Sequence, residues 1–401
     1  MKDKNNIFKY ATKELSQDAF LCWSINWLNE NPDNTLYQYG KEMLDLFLGE
    51  NKLDKYCCVQ VYRQYEKIDV LVMFKDFQGK SYALIIEDKT NTSEHGDQMR
   101  KYKKKLIDKL PQDDKLKPYE NPEIYLVYVK TGIMYDEDIR MVGKGANVVD
   151  LDMLLEVVSK FAKNGLSEIL EDFCEYISGI KQYREKLTAC IEGGNCELAL
   201  HDSYGQFYFL DKIFENRSKY KVVGEWYNGL EINGDVYTDY IYSGTNRGGS
   251  PWIEYAFWKE KYPVNYINPY ENEFHSLFWR VDCKWEKVND TEWKQRFYIA
   301  LRHYDNHAHS GKKYLDERKR FVYRKLRALA DKVAAEHPER FTKIGVRENY
   351  KESDLLFIYV DKIPEMTLKE IGEFLNDITD RFIKECDNLY DGMEEALKDY
   401  M

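Results

Sequence analysis

The sequence predicts an α/β domain followed by a separate α+β domain. Three observations predict this. Strand-like apolar runs and helix-like amphipathic runs alternate through the first part of the chain, as in a sheet covered by helices. In the second part several strand-like runs come first and long helices last, which is the α+β order. Between them, Glu192-Gly193-Gly194-Asn195 makes a polar, glycine-bearing break. Two domains, residues 1–190 and 195–401, also suit a chain of 401 residues, which is long for a single core.

Taken in order, residues 12–27 predict an amphipathic helix, because Leu15, Ala19, Cys22, Trp23 and Trp27 recur at helical spacing. Glu14 lies near its N-terminus, where a carboxylate suits the helix dipole. Asn31-Pro32-Asp33-Asn34 breaks the helix, and residues 39–48 predict a second one ending near Gly49. Residues 57–62 read as a strand. Two further apolar runs, 68–74 and 82–86, flank a polar, glycine-containing turn, Lys75 to Lys80, and predict a hairpin. A helix is expected from near Asp97, with Met99, Tyr102, Leu106 and Leu110 as its packing stripe. After a loop at 111–122, the apolar run 123–129 predicts a buried strand, closing at Lys130-Thr131-Gly132. Residues 147–151 predict the last strand of this sheet, and helices are expected at 153–162 and 167–187.

The hairpin holds the chemistry. Asp69 opens its first strand, and Glu87-Asp88-Lys89 ends its second. Side chains alternate along a strand, so Glu87 and Lys89 share one face and Asp88 takes the other. Pairing of the strands brings Asp69 towards Glu87. Two carboxylates can hold Mg²⁺, a cation that prefers oxygen ligands and retains waters. The metal can polarise a phosphoryl oxygen and lower the pKa of a water, while the lysine offsets developing negative charge. The alternative for the same residues is a salt bridge at a hairpin edge. Beyond Lys89, Gln98 and Tyr102 stand four residues apart on one helix face. Arg100, Lys101, Lys103, Lys104, Lys105 and Lys109 make that helix basic. Of these, Arg100, Lys101, Lys104 and Lys105 are the candidate contacts to a phosphate backbone; otherwise they form a solvated lysine-rich face.

Asp69, Glu87-x-Lys89 and Gln98-x-x-x-Tyr102 together resemble the PD-(D/E)xK nuclease superfamily, and the Gln-x-x-x-Tyr element resembles its RecB-like branch. Residues 6–20, with Glu14, are similar to the opening of one branch of that superfamily, and the resemblance covers roughly residues 6–180. It implies a restriction-endonuclease-like fold, a mixed central sheet flanked by helices, and phosphodiester hydrolysis dependent on Mg²⁺ or Mn²⁺. By position, it implies that Asp69 and Glu87 ligate the metal, that Lys89 is the catalytic lysine, that Glu14 lies near the metal, and that Gln98 and Tyr102 line the site. It further implies nucleic acid as partner, DNA ahead of RNA, and a bacterial defence or restriction role. One departure is that Ile68 stands where the motif has proline.

Composition bounds these readings. The formal net charge is −11, so attraction to nucleic acid must come from local basic patches. The aromatic content of 15%, with 33 tyrosines, suits half-buried strands as well as binding surfaces. The eight cysteines form no C-x-x-C pair, which argues against zinc or iron–sulfur sites of familiar spacing. No apolar run follows the first residues and no stretch reaches transmembrane length, so a soluble, cytoplasmic chain without a membrane partner is expected.

In the second half, runs 207–214 and 222–226 lead to a Gly-rich loop, Ser243 to Pro251, that lacks the Gly-Lys-Ser/Thr ending of a P-loop. It reads as a turn between strands. Strands are expected at 252–258, 277–285, 296–303 and 355–360, and helices at 315–336 and from Thr367 onward. His303, Asp305, His307 and His309 have spacing that suits a transition metal, but they end a strand without an accompanying acidic or Cys motif. Arg318, Lys319, Arg320, Arg324, Lys325 and Arg327 make the next helix basic. It is expected to be exposed, with Asp316 and Glu317 balancing its charge. Two function classes follow: a metal-dependent nuclease, or a nuclease-fold protein that binds or regulates without cutting.

Overall fold

The structure, a computed structural model, describes residues 6–11, 14–91, 98–136, 138, 142, 145–163, 165–194, 199–217, 221–222, 230–232, 235–245, 251–261, 274–289, 292–305, 313–342, 352–363 and 366–400. It divides into two compact units, Met1–Arg184 and Glu185–Met401.

The first unit is built on a mixed five-stranded sheet in the order β1-β2-β3-β4-β5. Its strands are β1 (Cys57–Tyr65), β2 (Ile68–Lys75), β3 (Ser81–Lys89), β4 (Glu123–Lys130) and β5 (Ala146–Asp150). The first three pair antiparallel, and β3-β4 and β4-β5 pair parallel. Its helices are α1 (Glu14–Asn26), α2 (Thr35–Leu48), α3 (Gln98–Lys109), α4 (Leu151–Phe161) and α5 (Glu168–Glu192). The α5 helix runs beyond residue 187 to Glu192, so the unit division falls within it.

Alternation along the strands sorts the core into two layers. Val70, Val72, Phe74, Leu84, Ile86, Val127 and Val129 pack with α1, α2, α4 and α5 residues such as Leu21, Leu44, Leu154 and Phe173. Leu71, Met73, Ala83 and Ile85 face the other way, against Leu106 of α3 and against Leu116 and Tyr119. Continuous apolar runs form here because both sheet faces are covered. The β2-β3 loop is fixed by Asp76, whose Oδ1 accepts the Gln78 and Lys80 N–H groups. Gly79 takes the left-handed φ of +85° there. The α2 helix begins earlier than hydrophobic spacing suggested, because Asn34 caps it by accepting the Leu36 N–H. Likewise Asp150 ends β5 and caps α4 through the Met153 N–H, placing Leu151 in the helix.

The second unit opens with α6 (Ser203–Ile213), capped by Asp202. The run at 207–214 therefore belongs mainly to a helix, and residues 223–226 of the next run lie outside the described residues. Short strands β6 (Lys221–Val222), β7 (Leu230–Ile232) and β8 (Asp235–Thr238) form one small sheet. A five-stranded antiparallel sheet follows, ordered β13-β12-β11-β10-β9. It comprises β9 (Tyr240–Thr245), β10 (Pro251–Lys261), β11 (Phe274–Lys287), β12 (Trp293–Asp305) and β13 (Glu352–Tyr359). The Gly-rich loop joins β9 to β10, although its residues 246–250 are outside the described set. Helices α7 (Lys313–Glu336), α8 (Leu368–Cys386) and α9 (Met393–Leu397) complete the unit. Trp279 of β11 donates its indole N–H to Thr379 of α8 at 2.9 Å.

The expectation of a wholly exposed basic α7 is overturned at Arg318 and Lys319, which are buried. Glu317 does pair with Arg320, as charge balance required, and Arg327 pairs with Asp331. No helix among the described residues is long and apolar enough to cross a membrane.

Candidate active site

The register Val70↔Ile86 sets Asp69 opposite Glu87 across the β2-β3 pair. Asp69, Glu87 and Lys89 share the parity of Leu71, Met73, Ala83 and Ile85, so they lie on the α3 side of the sheet. Lys89 Nζ lies 2.5 Å from Glu87 Oε1 and 3.8 Å from Asp69 Oδ2. The Glu87 side chain is 1% exposed and that of Lys89 11%. Burial works against the Lys89 charge, but the Glu87 ion pair and the charges of Asp69 and Glu14 outweigh it and hold the ammonium pKa above the ordinary lysine value.

Two backbone devices fix the strand ends. The Asp88 N–H donates to Asp69 Oδ2 at 3.0 Å. The Thr131 N–H donates to the Lys89 carbonyl at 3.2 Å. Beside that bond, a Cβ on Gly132 would stand 1.6 Å from the Thr90 carbonyl oxygen, so only glycine admits this approach. Glu14, on the first turn of α1, reaches the same strand end and accepts the Thr90 N–H at 3.4 Å. Gln98 and Tyr102 of α3 are half-buried, and Gln98 Nε2 donates to the Tyr102 hydroxyl at 3.4 Å. Burial, with the charges of Glu87 and Asp69, raises Tyr102 to about 12. All six residues singled out in the sequence therefore sit at or beside one strand end.

The basic face of α3 is less uniform than its composition suggested. Arg100, Lys101, Lys103 and Lys104 are exposed. Lys105 instead donates to the Glu66 carbonyl at 2.7 Å and pairs with its carboxylate at 3.0 Å, and Lys109 joins it at 3.1 Å. Lys130, at the end of β4, is fully buried and pairs with the equally buried Asp138 at 2.6 Å. Tyr128 and the Tyr135 N–H complete that carboxylate's hydrogen bonds. Lys130 is a core ion pair.

Sequence reading missed a second polar layer on the opposite face of β3. Asp88 points towards α1, where Gln17 Nε2 donates to its Oδ1 at 2.5 Å. Gln17 Oε1 accepts the Thr131 hydroxyl at 2.8 Å. Gln64 Nε2 donates both to Asp18 Oδ2, at 2.9 Å, and to Asp69 Oδ1, at 3.0 Å. Asp18 and Asp88 are close enough for each to act on the other's carboxyl group. Burial, then the charge of Asp69, raises Asp18 to about 6. Burial, then Asp18, raises Asp88 well above the usual carboxylate range. One signal for Asp18 existed in the sequence: it follows Glu14 by four residues, hence on the same face of α1.

The donor set fits a hard divalent cation that keeps several waters. Asp69 and Glu87 supply oxygen ligands side by side, and Lys89 already stands between them as the compensating positive charge. Among the described residues no three of His, Cys, Asp and Glu form a metal-holding group, so water must complete such a shell. In the second unit His303 and Asp305 are buried at the end of β12, and His303 packs edge-on to His275 at 5.6 Å between ring centroids. His307 and His309 lie outside the described residues.

No protein-family model, curated protein or solved structure matches this chain.

Proposed function

We propose that the first unit is a divalent-cation-dependent nuclease of the PD-(D/E)xK kind, hydrolysing phosphodiester bonds, with DNA ahead of RNA as substrate. The observation that supports it is the convergence of Asp69, Glu87 and Lys89 at one buried strand end. Asp69 and Glu87 would hold Mg²⁺ or Mn²⁺, which when bound polarises the phosphate and acidifies water. Lys89, kept cationic by its neighbours, orients the attacking water and offsets charge developing on the phosphoryl oxygens. Gln98 and Tyr102 line the substrate side from α3. The exposed Arg100, Lys101 and Lys104 supply local phosphate attraction despite the net charge of −11. A bacterial defence or restriction role and a cytoplasmic setting accord with the resemblance, and substrate or partner selection is assigned to the second unit.

A rival reading, nucleic-acid binding or regulation without cleavage, draws on the Lys89–Glu87 ion pair, which neutralises the carboxylate without a metal ion. Cleavage of linear duplex, plasmid, single-stranded DNA and RNA with Mg²⁺, Mn²⁺ or EDTA separates the two. Metal-dependent cutting lost in both Asp69→Asn and Lys89→Met supports the nuclease. No cutting on any substrate, or cutting unaffected by both variants, refutes it.

A further inference from the structure

We infer that Gln64 is a positioning residue that sets the Asp69 carboxylate for cation binding. This rests on the proposed metal-dependent reading of the same site. The pairs Arg63↔Val70 and Tyr65↔Ile68 leave Gln64 directly opposite Asp69 across β1 and β2. A primary amide carries two N–H protons, and both are used here. One goes to Asp69 Oδ1 at 3.0 Å and the other to Asp18 Oδ2 at 2.9 Å. Since Asp69 Oδ2 accepts the Asp88 N–H at 3.0 Å, the Asp69 carboxylate is held through both oxygens. Its plane is therefore set before any ligand arrives. The amide also stands between two acidic groups, Asp69 and Asp18, with a donor turned to each.

The backbone at Gln64 supplies a second, independent observation. Its φ is +54°, the left-handed region that side chains other than Gly, Asn and Asp seldom occupy. The following two-residue turn accounts for the positive φ of Glu66 and Lys67, since a primed hairpin turn needs both. It does not account for Gln64, which precedes the turn. Nor does burial, since Gln64 is largely exposed. What the strained conformation achieves is the reach of a long amide across the strand pair to two carboxylates. Backbone cost accepted at an exposed residue is what function, rather than packing, explains.

Partners that orient a metal-binding carboxylate change metal affinity by about 10- to 100-fold when removed. The test measures Mn²⁺ binding to the full chain by calorimetry and by the electron paramagnetic resonance of free Mn²⁺. The proteins are wild type, Asp69→Asn, Gln64→Met and Gln64→Ala. Gln64→Met keeps length and backbone demand but has no donor. The expected result is Mn²⁺ binding in wild type, its loss in Asp69→Asn, and affinity about 10- to 100-fold weaker in both Gln64 variants. Circular dichroism and the hydrogen exchange of β2 and β3 peptides should stay unchanged. Cleavage should need correspondingly more metal while kcat at saturating metal recovers, a split that general loosening of the fold does not give. Mn²⁺ binding lost in Asp69→Asn but unchanged in folded Gln64 variants overturns the inference alone. Failure of both Gln64 variants to fold also overturns it, in favour of a structural role. No Mn²⁺ binding in wild type, or none lost in Asp69→Asn, refutes the cation reading and the inference with it.

Discussion

The carboxyl pair behind the candidate site makes the stability of the first unit depend on pH, with a sign opposite to that of an ordinary salt-bridged aspartate. Asp18 is 1% exposed and Asp88 fully buried. Burial, then the charge of Asp69, raises Asp18 from 3.8 to about 6, and burial, then the charge of Asp18, raises Asp88 well above the usual carboxylate range. At a pH between the two Asp18 values, the folded chain therefore holds a proton that the unfolded chain has released. Stability must then fall as pH rises through that window, and the loss is complete above the folded pKa. Taking Asp18 alone, the penalty grows by about 2 to 3 kcal/mol between pH 4 and pH 8. Asp18→Asn removes that titration while keeping the size of the side chain. The variant should thus gain stability over wild type by about 2 to 3 kcal/mol more at pH 8 than at pH 4. Because the chain has two units, a single unfolding midpoint is ambiguous. Hydrogen exchange of β2 and β3 peptides, corrected for intrinsic rate at each pH, reports the opening of this unit itself. A wild-type-minus-variant difference that is constant with pH, or that grows towards acid, refutes a proton held by Asp18 in the folded chain.

Other outcomes follow from the same geometry. Lys130→Met leaves the Asp138 carboxylate buried without its cation and should cost about 3–5 kcal/mol, read by the same exchange peptides; a loss below about 1 kcal/mol, as for an exposed pair, would contradict the burial. Gly132→Ala forces the β3 and β4 ends apart at Thr90 and should cost about 1 to 3 kcal/mol together with most Mn²⁺ affinity, so an unchanged chain by both measures would show that the approach is not needed. In the second unit, burial, only partly offset by Asp305, lowers His303 to about 4, and burial lowers His275 well below its usual value. The unfolded chain then binds protons that the folded chain refuses, so stability falls as pH drops from 6.5 towards 4, by roughly 3 kcal/mol for His303. His303→Gln should flatten that dependence in the exchange of β11 and β12, and an unchanged slope would refute the assignment.

How much of this was legible in the sequence depends on the range of the interactions involved. The hairpin and the meeting of Asp69, Glu87 and Lys89 were legible because strand parity, a short turn and the spacing of these residues all act within about twenty residues. The parallel addition of β4 and β5 leaves no comparable local signature, since their pairing follows from covering both faces with helices. Helix starts at Thr35 and Leu151 were misjudged because Asn34 and Asp150 act as caps, and capping overrides the hydrophobic period. The basic runs were the least legible. Lys105 and Arg318 sit in lysine- and arginine-rich helices that look uniformly solvated. Their fates are set by Glu66, 39 residues away, and by burial beside His275 of β11. A charge run specifies composition, whereas the face each charge takes is decided by tertiary packing.

The same distinction explains why Gln64 and Asp18 escaped a motif-based reading although they touch the site. Under the proposed nuclease reading, Asp69, Glu87 and Lys89 are of fixed type because charge is what they supply. Their supports need only place a donor or a proton at a given point, and many residue types on many elements can do so. Gln64 reaches Asp69 only because a tight turn at Glu66-Lys67 sets the β1–β2 register. That turn lacks the Asn-Gly or Asp-Gly signature by which such turns are recognised. Asp18 reaches Asp88 because α1 lies across the end of β3, a packing choice made by Phe20, Leu21 and Ile25 in the core. The candidate site is thus written in a few short-range residues. Its precision is distributed over register and helix placement, and variants of Gln64 and Asp18 test that second layer while leaving the first intact.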